Sequence, residues 1–168
     1  MVIPLRVRDF NSYELAVEPV NLPDILVLGG RNEVENGLEK SFIFNQNQTT
    51  NLPALPEGIQ GSAMVLHNGI PTVCGGQKST GEITSNCFQL RDKMWKEFPS
   101  LQKPRIGAKM MSYETKLLIT GGGNDLSTEV FNGESWMDGP QMLRSLSYHC
   151  IVPFIEDDEG KFLLIGGT

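Results

Sequence analysis

The chain has 168 residues, 14 Lys and Arg against 20 Asp and Glu, and a formal net charge of −6. The basic residues are scattered rather than clustered, so neither nucleic acid nor an anionic membrane surface is an expected partner. No stretch approaches the roughly 18 apolar residues of a membrane-spanning helix. The opening, "MVIPLRVRDFNSYELAV", lacks the apolar core of a signal peptide, which says nothing of a chain that begins further upstream.

After a lead-in over residues 1–21, the first apolar run is "ILVLGG" at 25–30. It shows no alternation, as expected of a buried strand covered on both faces. A glycine pair ends it, permitting positive φ and a close approach of backbone. A polar loop, "RNEVENGLEK", leads to the strand "SFIF", a turn "NQNQ", a third strand beginning near Thr49, then Pro53 and a fourth strand, "GSAMVLH". The same order returns. "TVCGG" at 72–76 is followed by the loop "QKSTGEITSN", the strand "CFQL", the turn "RDKM", Trp95, Pro99 and "IGAKMMSY". "LLITGG" at 117–122 is followed by "TEVF", "NGES", Trp136, Pro140 and "LSYHCIVPF". After the acidic "FIEDDEG", "FLLIGG" at 162–167 opens a fourth unit.

The period is regular. Gly30, Gly76, Gly122 and Gly167 are 46, 46 and 45 residues apart. The anchor position Thr49, Trp95 or Trp136 has proline four residues later and Phe44, Leu90 or Phe131 five residues earlier. Self-similarity at this period, built from four short strands per unit with turn residues between them, predicts an all-β propeller of four-stranded antiparallel blades. The expected units are about 25–69, 70–116, 117–161 and the start of a fourth at 162–168, within a repeat region 22–168.

These residues resemble the Kelch repeat: the Gly-Gly pair after an apolar strand, the aromatic at Phe44 or Phe131, the Trp at 95 or 136, the "LP" or "FP" after it, and Arg105 in "KPRIGA" or Arg144 in "MLRSLS". The first repeat departs from the pattern with Thr49 in place of Trp and Ile59 in place of Arg, and is expected to pack differently. The resemblance implies a ring of six or seven blades, and six at this period need about 276 residues. The chain holds only about 3.7 units, so an incomplete ring is expected, as a fragment of a longer propeller. If the chain is complete, self-association would close the ring.

Cys74 and Cys87 stand 13 residues apart on strands expected to pair within one blade; the matching positions are Leu28 with Ser41 and Thr120 with Thr128. Opposed Cα atoms in such a ladder lie about 4.5–5.5 Å apart, within disulfide range. A bridge would place the chain in an oxidising compartment; two reduced cysteines filling apolar space are the alternative. The "CGG…C" spacing resembles secreted invertebrate Kelch-repeat proteins, and Asn47-Gln48-Thr49 is a glycosylation candidate at Asn47. Secretion is therefore favoured over the cytoplasm. Cys150, in "YHCIV", is expected as a buried thiol.

No constellation for catalysis assembles. His67 and His149 lie about two repeats apart, too far for a shared metal. Glu156, Asp157, Asp158 and Glu159 lack the alternating spacing of a calcium loop and read as a solvated hairpin tip. No nucleophile elbow, Walker loop or zincin motif occurs, and no helix follows the glycine pairs to cradle a phosphate. No cofactor and no metal are expected, and the chain is expected not to be an enzyme. The loops after the glycines vary most and carry Arg31, Asn32, Glu33, Gln77, Lys78, Asn124 and Asp125. With Arg105 and Arg144 they are the candidate contacts for another protein, although the two arginines also fit a role bonding carbonyls between blades. The resemblance implies a non-catalytic protein-interaction module. The alternative it implies is the substrate-recognition propeller of an intracellular ubiquitin-ligase adaptor, whose upstream BTB domain is not in this sequence.

Overall fold

A computed structural model describes residues 24–33, 37–45, 48–113, 115–124, 126–156 and 159–168. The lead-in 1–21 and residues Asn47, Asp125, Asp157 and Asp158 lie outside them. All regular structure among the described residues is β. The first sheet holds β1 (Ile25–Leu28), β2 (Ser41–Asn45) and β3 (Gln48–Leu52). A short ribbon pairs β4 (Ile59–Gln60) with β7 (Gln77–Lys78). The second sheet runs β5 (Ala63–His67), β6 (Ile70–Cys74), β8 (Cys87–Arg91), β9 (Met94–Phe98). The third runs β10 (Lys109–Tyr113), β11 (Lys116–Thr120), β12 (Thr128–Phe131), β13 (Trp136–Asp138). The last pairs β14 (Cys150–Glu156) with β15 (Glu159–Ile165). Every pairing is antiparallel; each larger sheet is the meander of a propeller blade, with β7 set aside in the ribbon with β4, and the described sheets do not close a ring.

The phase of the blades differs from the sequence expectation. "GSAMVLH" contains β5, and it pairs with β6 of the following glycine run, from Ala63↔Cys74 to His67↔Ile70. "IGAKMMSY" contains β10 and likewise pairs forward with β11. Each four-stranded sheet therefore takes its first strand from one repeat and three from the next. The cause is local. Asn68 and Gly69 have φ of 50° and 76°, which closes a two-residue hairpin between β5 and β6. The glycine-pair strand is then second in its sheet rather than innermost, and β5 and β10 lie side by side where the sheets meet.

The glycine pairs act as the sequence predicts, with a partner it does not name. Gly76 donates its N–H to the Arg105 carbonyl at 2.7 Å, and a Cβ on Gly75 would stand 2.6 Å from that oxygen. Gly30 donates to Ile59 at 2.8 Å and Gly122 to Leu146 at 2.8 Å. Each pair thus seats a carbonyl from the loop that leads to the next sheet, at a distance no side chain tolerates.

Two apolar clusters fill the interfaces between sheets. Leu55, Ile59, Val73, Phe88 and Trp95 pack with Leu26 and Leu28 between the first and second sheets. Ala63, Leu101, Met110, Ile119, Phe131 and Trp136 belong to the cluster between the second and third. Each tryptophan reaches back one sheet. Trp95 Nε1 donates to Ser41 Oγ and the Pro53 carbonyl, both at 3.2 Å, and Trp136 Nε1 to the Pro99 carbonyl at 2.8 Å. A buried indole needs such an acceptor, and the recurrent proline supplies it. Thr49, at the same position in the first repeat, is exposed on β3.

A further recurrent position lies one residue or more before each first strand. Gly61, Gly107 and Tyr148 have φ of 65°, 71° and 55°, and the backbone N–H of Gly107 donates to Gly61, that of Tyr148 to Gly107, each at 2.7 Å. Tyr148 is a bulky residue in a glycine conformation. Its ring lies over Gly107, where an added Cβ would meet three ring atoms at 3.0 Å.

Cys74 and Cys87 form a disulfide between directly opposed residues of β6 and β8, with Cα atoms 4.1 Å apart. Leu28↔Ser41 and Thr120↔Thr128 occupy that register in the first and third sheets, as expected. Cys150 is exposed instead of buried. The inward place belongs to His149, whose Nε2 lies 2.8 Å from Thr120 Oγ1. Closing a loop of this length is worth about 2–4 kcal/mol. Replacing both Cys74 and Cys87 by Ala is expected to lower the denaturant midpoint accordingly. Reductant should lower the midpoint of the parent chain and leave the double variant unmoved; equal sensitivity would mean that the bridge is not formed in solution.

Candidate recognition face

The register places all the glycine pairs at one end of the sheets, together with the loops that follow them. Arg31, Glu33 and Asn124 are exposed there. Gln77 and Lys78 are partly buried in β7 and hold the second loop onto the first repeat. Gln60 Nε2 donates to Gln77 Oε1 at 3.1 Å, and Gln77 Nε2 to the Gly81 carbonyl at 2.9 Å. Lys78 Nζ lies 3.3 Å from both Glu57 and Glu82. The hydrogen bond to Glu57, then that to Glu82, raises its pKa. Glu57 also accepts from Asn86 Nδ2 at 3.1 Å, so this carboxylate ties the loop at two points. Asn124 lines a small cleft of about 340 Å³ with Lys103, Pro104 and Gly123. Arg144 is exposed at a different cavity, beside Pro140 and Leu143.

Arg105 stands apart from these residues. It is 1 % exposed and spends its guanidinium inside the frame. Nε donates to Glu129 Oε1 at 3.1 Å, Nη1 to the Gly121 carbonyl at 2.7 Å and the Ser127 carbonyl at 3.1 Å, and Nη2 to Ser127 Oγ at 2.8 Å. The Glu129 carboxylate, equally buried, also receives the backbone N–H groups of Gln102 and Lys103. The arrangement clamps the loop 99–105 onto β12, and Arg105, which also borders the small cleft at Asn124, bonds carbonyls within the frame. Arg144 is not its counterpart in the third repeat. The carbonyl acceptor for Gly122 comes from Leu146, so Leu146 holds that place and Arg144 sits two residues before it.

Three curated relatives are similar to the chain. The chain is 31 % identical over 110 residues to alpha-scruin and 29 % identical over 110 residues to beta-scruin, both of Limulus polyphemus. It is 30 % identical over 73 residues to Kelch-like protein 41b of Danio rerio. These matches cover 60 %, 60 % and 42 % of the chain but 12 % of each relative. No family model matches the chain. The chain is thus similar to Kelch-repeat proteins over its repeat region. Its likeness spans a small part of those longer proteins.

Within the frame, the Arg105–Glu129 pair has an apolar equivalent one repeat earlier. Ile59 offers its carbonyl to the preceding glycine pair as Arg105 does, and Phe88 takes the β8 place that Glu129 takes in β12; both pack in one cluster. Sequence reasoning noted Ile59 against Arg105 but missed Glu129. The signal was its place in "TEVF", a charge inside an apolar strand run. Removing one member of a buried pair strands the other and costs about 3–5 kcal/mol, whereas a matched apolar replacement is often near neutral. Glu129→Ala is therefore expected to lower stability by about 3–5 kcal/mol in chemical denaturation. The double variant Arg105→Ile/Glu129→Phe should recover most of that loss. Additive losses in the double-mutant cycle would show that the two side chains act separately.

Two buried histidines lead to an expected pH dependence of stability. His67 is held below its ordinary pKa by burial and, secondarily, by Arg91; His149 by burial and, secondarily, by Lys109. His149 Nδ1 is buried without a hydrogen-bond partner, which also opposes protonation. A depressed folded pKa means that the unfolded chain takes up the proton first. The stabilisation is fully present above the ordinary value near 6.5 and is lost as pH falls through it toward the folded values. Melting temperature should fall between pH 7.5 and pH 5.5, and His149→Gln should reduce that slope. An unchanged slope would rule out His149 as a source.

Proposed function

We propose that this protein is a non-catalytic protein-interaction module whose glycine-end loops meet another protein. One observation carries the reading. The loops after the glycine pairs differ in length and sequence, yet each starts from the same bond, Gly30 to Ile59, Gly76 to Arg105 and Gly122 to Leu146. A fixed root with a variable tip is what places contact residues accurately on a rigid scaffold. Arg31, Asn32, Glu33 and Asn124 are the contacts of this face, and Arg144 lies at its margin. Gln77 and Lys78 brace it through β7, and Arg105 supports it from beneath. The disulfide supports an oxidising compartment and hence a secreted protein. The short span of likeness, 12 % of each relative, supports a chain that is one section of a longer propeller.

The test compares the parent chain with the variant Arg31→Ala/Glu33→Ala/Asn124→Ala on a solid support, using soluble protein from the source tissue. Proteins held by the parent should be lost from the variant by about tenfold or more, while the two melt alike. Equal retention by both would remove the glycine-end loops as the interface. Free thiols at Cys74 and Cys87 in protein isolated under alkylation would move it to an intracellular compartment.

A further inference from the structure

The groove between the second and third sheets holds polar side chains that neither the frame nor the glycine-end loops use. It opens on the opposite end, among the hairpin turns at Asn68 and Asn132. The repeats differ there in a telling way. On the face that each sheet turns toward the next, the first and third repeats have Leu26 and Leu118 at one position and Ile43 and Val130 at its cross-strand neighbour. The second repeat has Thr72 and Gln89, which pair with each other and are 0 % and 1 % exposed.

A buried amide costs stability unless it is bonded, and here its bonds do more than satisfy it. Gln89 Nε2 donates to Thr72 Oγ1 at 2.9 Å, while Gln89 Oε1 accepts from Arg91 Nε at 2.8 Å. The buried pair thus fixes the guanidinium of an exposed arginine. It leaves the two terminal nitrogens of Arg91 unbonded among the described residues. Arg91 faces a cavity of about 530 Å³ walled by His67, Lys96, Phe98, Phe131 and Asn132. His67 is itself buried and set by aromatic edges, its ring centroid 6.5 Å from Phe98 and 6.2 Å from Phe131. The wall carries Arg91 and Lys96 with the carboxylate of Glu97, and His67, held below its ordinary pKa by burial, adds no charge at neutral pH. Lys96 is already paired with Asp92. The fork of Arg91 is the donor left open to the groove, and its two terminal nitrogens suit the paired oxygens of a carboxylate.

We propose that this groove is a carboxylate site that receives an aspartate or glutamate side chain of a partner protein. The Arg91 fork binds both oxygens, a geometry that arginine presents and lysine does not. Phe98, Phe131 and Pro99 give the flanking peptide an apolar wall. The cavity is larger than a carboxylate alone and matches a side chain with its neighbouring backbone. The site is separate from the glycine-end loops, so its failure would leave the recognition face standing, and the reverse holds too.

The test titrates the whole chain with a capped peptide of sequence Gly-Phe-Glu-Gly, its Gln counterpart, and inorganic phosphate, followed by calorimetry and by the imidazole resonances of His67. The Glu peptide should shift His67 saturably and bind about tenfold or more tightly than the Gln peptide. Arg91→Gln should lose that preference, Arg91→Lys should lose most of it while keeping the charge, and Lys40→Gln should leave it intact. Two variants guard against a fold defect, which melting curves would reveal. Phosphate binding more tightly than the Glu peptide with the same Arg91 dependence would overturn the carboxylate assignment. Peptide binding unchanged by Arg91→Gln, or no saturable shift, would overturn the site.

Discussion

The stack of sheets depends on a backbone hydrogen bond that crosses from one unit to the loop entering the next. The N–H of the second glycine in each of the first three pairs points at a carbonyl, from Ile59, Arg105 or Leu146, and the first glycine leaves room for that oxygen. Sheets joined in this way are spaced by backbone, and side chains then fill what remains. The tryptophans follow the same logic, since Trp95 and Trp136 find their acceptors on Pro53 and Pro99 of the preceding unit. Once spacing is set by main-chain atoms, the side chains at an interface are free to differ from blade to blade. This is why a 46-residue period survives while so few residues repeat.

The differences between repeats come in matched sets. Ile59 and Phe88 become Arg105 and Glu129. The neighbouring apolar pairs of the first and third sheets become Thr72 and Gln89 in the second. Ser41 and Thr128 donate to the carbonyls of Pro53 and Pro140, while the same position in the second sheet is Cys87, bonded to Cys74 instead. In each case a polar or reactive group is buried together with the partner that satisfies it. A half change would leave an unpaired charge, amide or thiol in a dry interface. The blades are equivalent as geometry and distinct as chemistry.

Much of the frame was legible because it rests on local spacing. The glycine pairs, the Trp–Pro interval and the opposition of Cys74 to Cys87 all follow from strand period and turn length. The phase was harder, because "GSAMVLH" is apolar enough to pair on either side. Only the Asn68-Gly69 turn decides it, by closing a hairpin forward. The role of Arg105 depended on a residue 24 positions away, Glu129, which no local pattern joins to it. Arg144 was matched to Arg105 by composition, whereas the hydrogen bond to Gly122 identifies Leu146. Cys150 was misplaced by one residue, because Tyr148 adopts φ 55° ahead of β14 and His149 takes the inward slot against Thr120. Each miss came from a contact between units, the level at which a single sequence is silent.

Tyr148 has one more implication, which concerns the order in which this chain can change. Its ring covers Gly107, so position 107 is constrained twice, by its own φ of 71° and by a neighbour's side chain. At Gly61, one unit further back, an added Cβ would meet Ile106 Cγ1 at 2.9 Å, whereas the Tyr148 hydroxyl stands off at 3.5 Å. A mutational path that enlarges residue 107 must therefore first shrink or move residue 148. The reverse step, shrinking 148, needs no permission from 107. Historical contingency in this stack thus has a direction, running backward along the chain and fading within two units, as expected where each unit touches only its neighbours.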